Sequence, residues 1–562
     1  MDKFKDKVIE EVSKATGLKK ENITVEIPPD SNMGDFAFPC FVLAKEMKKS
    51  PVEIAKELAS KVKTGGVIKE ARAIGPYLNF FINNEDLSDT IITKVLKEKE
   101  DYGKGKKTHK VVLVEFFHAN THKGIHIGHI RNISYGSAIA NILEFHGDNI
   151  KRVNYEGDIG PHVAKCLWGY LNLGEKPPKT GKEEWLGKIY AKANSKEKED
   201  EKVKEEVKEI NKKIYAGDKK LTELWKKTRQ WCLDDFDKFY KDFGVKYDRF
   251  YFESEVEKRG AEIAKELLKK GIAKESEGAL IVDLNEYGLG VYVLLTKEGN
   301  PVYHTKDLGL AELKTKEYKI DESLHVVGKE QELYFKQLFK TFELINSPLA
   351  GKSKHLIYEL VMLPEGKMSS REGNVILYND LIAKLKELST AEVVKRHPDW
   401  SKKDVEKAVH DISFGALKFG MICKESNRKI IFDWDSVLDF EGDTGPYIQY
   451  SHARICSLLA KVKTKPKSAD YSLLEKPVER KVVKLLGDYP DVIARSAQEY
   501  KTHIIANYLL ELGHAFNEFY HECQILKEEK DLMNARIMLV MAVREVLKSG
   551  LNVLGINAPE RM

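Results

Sequence analysis

Two short words of this sequence hold most of its chemical potential. The first is His126-Ile127-Gly128-His129. Two imidazoles at the start of a helix can donate hydrogen bonds to phosphate oxygens, and the helix dipole favours negative charge at that end. Gly128 removes a side chain where an adenine or ribose needs close backbone approach. Alone, the word would equally describe two ordinary histidines at a surface helix end. The second is Lys367-Met368-Ser369-Ser370-Arg371-Glu372-Gly373-Asn374, which follows Pro364 and combines cations, hydroxyls and a glycine. Such a loop can close over a triphosphate and stabilise charge building on phosphorus. Alone it would be a basic surface turn. Their order, separation and setting together point to chemistry on ATP.

The elements around these words fit that task. Val111 to Phe117 is a short apolar run suited to a buried parallel strand. A polar turn follows, then a segment of helical spacing that ends at Gly147, with Ile130, Tyr135, Ala138, Ile142 and Leu143 predicted on its packed face. Strand, polar loop and helix is how an α/β sheet opens a nucleotide site. A second strand is expected at Lys151 to Tyr155, and others at Ala279 to Leu284, Gly290 to Leu295 and His325 to Gly328.

Upstream, residues 1–105 read as a separate α+β module. A helix is expected over Lys3 to Ala15 and a strand over Ile23 to Ile27. Another helix starts near Pro51, where proline suits a first helical turn. Asp101 to His109 is polar, basic and glycine-containing, and reads as a linker. From Thr180 to Lys227 Glu and Lys recur at spacings of three and four, which describes solvated helix and assigns no chemistry there. From Ala383 onward the pattern turns mainly helical, and from Tyr447 almost wholly so.

Composition bounds the function. The chain has 562 residues, and 42% apolar content excludes disorder throughout. Net charge is only +5, so any polyanion must be held by local surfaces and not by bulk charge. No apolar run is long enough to span a bilayer, and the N-terminal residues lack the apolar stretch of a secretion signal. Six scattered cysteines without a CxxC pair fit neither a zinc knuckle nor a disulfide framework. A reduced, cytoplasmic protein is expected.

With both words in place, the chain resembles the class I aminoacyl-tRNA synthetases, and the wider text is similar to the arginyl-tRNA synthetases. Gly34 to Pro39 and Gly75 to Ile82 resemble that family's N-terminal domain, and Val114 to Asn132 and Asn154 to Ala164 its first catalytic segments. Tyr303 to Leu308 and Val326 to Gln331 resemble its amino-acid pocket, and Asp443 to Ile455 the start of its anticodon-binding domain. The resemblance implies an α/β, Rossmann-type parallel-sheet catalytic domain over 106–440, with a charged insertion near 171–260 and the loop at 367–374. It also implies an N-terminal tRNA-contacting α+β domain over 1–105 and an all-α helical-bundle anticodon-binding domain over 441–562. The implied reaction activates L-arginine with ATP, arriving with Mg2+, and passes arginine to the 3′ end of its tRNA. No structural metal, DNA or membrane partner is implied, and the chain is expected to be a monomer.

Residue roles follow from the same resemblance. Tyr303 and Asp307 would hold the guanidinium, with Glu115 as a second acidic partner, which suits a planar five-donor cation. Asn120 and Gln331 would bind the head group, with His126 near its carboxylate. His126, Gly128, His129, Lys367, Met368 and Ser369 would contact ATP. The family's loop usually has a second lysine where this chain has Ser370; Lys123, three residues before His126, is expected to supply that charge. His118-Ala119 stands where serine and proline are commoner in the family. Five helical-domain aromatics (Tyr447, Tyr450, Phe516, Phe519 and Tyr520) are candidates for stacking on bases, with core packing favoured for each. Two rival readings remain here. One is a glutamyl- or cysteinyl-type ligase with the same words; the other is a catalytically silent tRNA-binding protein derived from a synthetase.

Overall fold

The computed structural model describes residues 1–28, 33–297, 299, 301–362 and 376–562. It opens with α1 (Asp2–Thr16), β1 (Phe36–Pro39), α2 (Phe41–Met47), α3 (Pro51–Lys61), β2 (Ile68–Ile74), β3 (Tyr77–Ile82) and α4 (Asn84–Glu98). The three strands form an antiparallel sheet in the order β1-β3-β2. Ser50 and Glu53 form a reciprocal cap that starts α3 at Pro51. The strand expected at Ile23 to Ile27 is reduced to one bridge between Glu26 and Ala37. Ile23 and Val25 are nevertheless buried, so the alternation recorded burial and not ladder pairing.

The next stretch contains β4 (Val111–Glu115), α5 (Ile127–His146), β5 (Asn149–Glu156), α6 (Pro161–Asn172), α7 (Lys182–Glu199), α8 (Glu201–Tyr215), α9 (Lys219–Asp242), β6 (Arg249–Phe252) and α10 (Glu253–Lys269). A three-stranded antiparallel sheet follows, of β7 (Lys274–Ser276), β8 (Ala279–Asp283) and β9 (Val291–Leu295). Then come α11 (Tyr303–Glu317), β10 (Glu322–Gly328), α12 (Glu332–Leu344) and β11 (Ser353–Tyr358). β10, β11, β4, β5 and β6 build one parallel sheet in the order β11-β10-β4-β5-β6. The apolar runs at Ala279 and Gly290 are therefore strands, but they belong to the antiparallel sheet. Strand order reverses between β4 and β10, and the crevice at the carboxyl ends of such a pair is where α/β sheets bind ligands. Glu115 ends β4 directly across from His325 of β10.

β4 stops at Glu115, two residues short of the expected Phe117. Phe117 and His118 take positive φ angles of 88° and 52°, and His122 one of 65°. L-residues held in that region mark a backbone fixed by its surroundings. From Ile130 to Ala140 α5 is buried on every side, because the sheet covers one face and α14 (Lys402–Ile422) and α17 (Pro477–Glu499) the others. The five residues predicted for its packed face are buried, and so are Arg131, Asn132 and Ser134.

The charged segment forms α7, α8 and α9. Their outer faces carry Lys–Glu pairs such as Lys188–Glu184 and Lys208–Glu205, as expected of solvated helices. Their inner faces are not bland. Phe236, Phe239 and Tyr240 of α9 surround Phe117, and Glu183 of α7 is buried. The chain ends in a helical bundle of α16 (Gly445–Ala460), α17, α18 (Thr502–Glu522) and α19 (Lys530–Val553). The bundle meets the N-terminal module at Asp35, which is 1% exposed and paired with Arg480 at 2.6 Å and Lys484 at 2.9 Å. Among the described residues no helix is long and apolar enough to cross a membrane.

Candidate active site

His126 caps α5. Its Nδ1 accepts from the Gly128 N–H at 3.1 Å, and its own main-chain N–H donates to Nδ1 of His129 at 3.2 Å. Both Nδ1 atoms are therefore acceptors, which leaves the neutral rings with donor N–H groups at Nε2. Burial, reinforced by Lys123, pushes the His126 imidazole down to about 4. Burial does the same to His129, which lies well below its ordinary value. The pair is thus two neutral donors with their rings 3.9 Å apart at a helix N-terminus. A Cβ at position 128 would come within 2.9 Å of the His126 ring, so glycine is required by the cap itself. Lys123 stands beside these rings, its ammonium 5.4 Å from the centre of the Tyr190 ring.

A cavity with about 690 Å³ of empty space opens at the carboxyl ends of β4 and β10. It brings together Glu115, Tyr303, Asp307 and Gln331, four of the residues singled out for the amino-acid pocket. Neither Asn120 nor His126 is in its lining. The Asn120 amide lies over Gly157, where it fills the space of a side chain. Lys367, Met368 and Ser369, with the rest of 367–374, lie outside the described residues.

Glu115 and Asp307 are not equivalent. Glu115 is paired with Lys314 and accepts from Nδ1 of His325 at 3.0 Å. Burial penalises this carboxylate, but Lys314 and then His325 outweigh it and hold the group below the usual range. Its charge is already balanced inside the protein, which sets it apart from Asp307. Among the described residues the partner of Asp307 is a neutral donor, the Tyr334 hydroxyl. Burial, aided by the Glu115 charge, lifts its carboxyl well above the ordinary value. A cation entering the cavity would reverse that shift.

Sequence reasoning missed the groups that complete this cavity. Lys314 and His325 sit in helical and strand patterns that read as framework. Tyr155 and His118 each place a buried polar atom, Oη and Nε2, at the cavity without a hydrogen-bond partner among the described residues. Tyr155 fell within a quoted segment and His118 was noted as a departure, but neither had a spacing that would assign it a ligand.

Residues 91–434 match the family described as tRNA synthetases class I (R), catalytic domain. Residues 448–562 match the DALR anticodon binding domain, and residues 2–82 the arginyl tRNA synthetase N terminal domain. The arginine–tRNA ligase of Bdellovibrio bacteriovorus is 36% identical over 95% of this chain and 93% of its own. That of Halothermothrix orenii is 35% identical over the full length of both. The chain belongs to the arginyl-tRNA synthetases. The arginyl-tRNA synthetase of Thermus thermophilus shares its fold with a TM-score of 0.82 and 27% identity, covering 99% of this chain and all of that one. A chain of this synthetase family has an α/β catalytic domain followed by a helical anticodon domain, as the parallel sheet and the α16–α19 bundle show. This removes the glutamyl- and cysteinyl-type readings. Of the five bundle aromatics, Tyr447, Phe516 and Phe519 are core residues. Tyr450 and Tyr520 instead flank the Arg454 guanidinium, at 4.8 and 5.6 Å.

Proposed function

We propose that the cavity seats the side chain of L-arginine with Asp307 as its principal anionic partner, Tyr303 at its mouth and Glu115 as a balanced buttress. As a class I arginine–tRNA ligase the chain uses ATP. The observation that carries the pocket reading is the contrast between the two acids. Glu115 is already neutralised, whereas Asp307 is destabilised as an anion until a cation arrives. A rigid planar cation with several donors satisfies such a site better than a neutral side chain. Gln331 and Asn120 hold the head group from the cavity rim and from the Gly157 turn.

In the first step an arginine carboxylate oxygen attacks the α-phosphorus of ATP, which enters with Mg2+, and pyrophosphate leaves. His126 and His129 donate through Nε2 to phosphate oxygens, Gly128 keeps the backbone open to the nucleotide, and Lys123 with Lys367 balances the departing charge. Met368 and Ser369 complete the nucleotide contacts. In the second step a terminal tRNA hydroxyl attacks the arginyl carbonyl and AMP leaves. Neither step needs a covalent enzyme intermediate, so catalysis rests on positioning and charge. The tRNA meets the bundle at a groove lined by Arg454, Lys461, Tyr520, His521 and Lys527, a set of cations around one stackable ring. The enzyme acts as a cytoplasmic monomer.

ATP–pyrophosphate exchange with arginine, lysine and glutamate, each with and without an arginine-accepting tRNA, tests this reading. Exchange with arginine alone among the three supports it. Tight tRNA binding without exchange would favour the silent binding protein.

A further inference from the structure

Lys123 is carried by a short arch, His122 to Ile125, and both feet of that arch are bonded to the helical insertion. At the first foot His122 is fully buried with its left-handed backbone. Its main-chain N–H donates to Sγ of Cys232 at 3.2 Å, and its Nε2 lies 2.7 Å from the Thr228 hydroxyl. That hydroxyl is 2.9 Å from the Leu224 carbonyl, to which it donates its only proton, so its oxygen accepts from Nε2–H of His122. Both anchors belong to α9. At the second foot the Ile125 N–H donates to Oε1 of Glu183 at 3.1 Å, and the Glu183 main-chain N–H donates to Asp235 of α9 at 3.1 Å. Between the feet the arch lies directly on α7. A Cβ at Gly187 would come within 2.7 Å of the Gly124 nitrogen.

The same helices hold the chain where it returns from the second signature word. Asn379 donates to Glu184 at 2.6 Å, the Tyr378 hydroxyl donates to Asp242 at 3.0 Å, and the Tyr378 N–H donates to the Ile125 carbonyl at 2.9 Å. A merely solvated insertion has no need of a glutamate that is 6% exposed or a threonine that is fully buried, both aimed at one loop. Burial of such groups is costly unless each makes its hydrogen bond.

We propose that the insertion is the positioning element for Lys123, with Glu183 and Thr228 as positioning residues that fix the two feet of its arch. The inference rests on the reading of Lys123 as the cation that faces the ATP phosphates. A lysine has four rotatable bonds, so its ammonium is placed only as well as its backbone is. A displacement of about 1 Å at such a group can cost ~10²-fold in rate. Burial pushes the Glu183 carboxyl up to about 8, so at neutral pH it is mostly protonated and glutamine is its close mimic.

The test is ATP–pyrophosphate exchange by the full-length enzyme with arginine and tRNA, arranged as double-mutant cycles on Lys123. Glu183→Ala and Thr228→Val are expected to lower kcat by ~10-fold or more with the arginine KM within about twofold. Glu183→Gln keeps an oxygen for the Ile125 N–H and is expected to recover most of the rate. In a Lys123→Ala background, Glu183→Ala and Thr228→Val are expected to lower kcat by less than about threefold, because the group they position is gone. A merely structural role would instead give effects that multiply, and that result overturns the proposal. An unchanged kcat in both single variants overturns it as well. If Lys123→Ala itself leaves kcat unchanged, the reading of Lys123 fails, and the inference with it. Thr228→Val swaps a hydroxyl for a methyl in place and carries the same cycle should Glu183→Ala lose the fold.

Discussion

Lys314→Met is the perturbation that most directly tests the charge balance under the proposed arginine pocket. The Lys314 side chain is 1% exposed and that of its partner Glu115 is 4% exposed. His325 remains after the substitution, but burial lowers its basicity, so it offers a hydrogen bond and little positive charge. Removing one partner of a buried pair typically costs ~3–5 kcal/mol, since the other charge is left uncompensated. The pH dependence changes sign with it. In the native chain the Glu115 carboxyl lies below its ordinary value of 4.5. Its contribution is therefore present above that value and lost as pH falls through the depressed one. Without Lys314 the burial penalty is expected to outweigh the remaining His325 hydrogen bond, and the carboxyl to rise above 4.5. The folded variant then holds a proton that the unfolded chain releases, so its stability is fullest at low pH and declines as pH rises. The gap between the two proteins should thus widen from pH 5 to pH 8. Amide hydrogen exchange of β4 and β10 reads this locally, which matters because a chain of several domains need not unfold in one step. Protection there should fall by ~10²-fold or more at pH 7, and Lys314→Met combined with Glu115→Gln should restore most of it. A loss below tenfold, a gap that does not change with pH, or a double variant as weak as the single one would refute the charge-balance account.

Other outcomes follow from the same geometry. Asp307→Asn should raise the arginine KM by ~10²-fold with little change for ATP, the scale of one or two hydrogen bonds to a charged group; a shift below threefold would move the guanidinium site elsewhere. Arginine binding to the native enzyme should release protons, because a cation lowers the raised Asp307 carboxyl, and calorimetry in buffers of different ionisation heat should show it. A binding enthalpy independent of buffer would contradict this. The exchange rate should show no acid limb near 6.5 from the two signature histidines, since the His126 ring stays neutral down to about 4; a limb near 6.5 that disappears in His126→Asn would count against neutral donors. Arg480→Met should loosen the N-terminal module by ~1–2 kcal/mol, less than a full buried pair because Lys484 still faces Asp35. Faster proteolysis within residues 104–110 would report it, and unchanged cleavage would argue against Asp35 as the hinge pin.

Periodic elements and local residue chemistry are legible in the order of the residues alone. Helix α5 was legible because a polar turn, a helical apolar pattern and Gly147 are all local signals. So was α3, from the proline in its first turn. The signature histidines were legible as the start of α5 because residue type and position in a helix are local properties. What the sequence could not carry was pairing across distance. Glu115 read as a second acidic partner for a guanidinium, and only the fold brings Lys314, almost two hundred residues on, against it. The runs at Ala279 and Gly290 read correctly as strands, yet period and length cannot say which sheet a strand joins. The insertion read as solvated because its outer faces obey the Lys–Glu rule. Its role against the Lys123 arch rests on Glu183, Gly187 and Thr228, three residues with no shared spacing. Spacing along a chain fixes which side chains share one element. Which buried charges cancel, and which loop a glutamate holds still, is decided only when separate elements close over a common interior and exclude water.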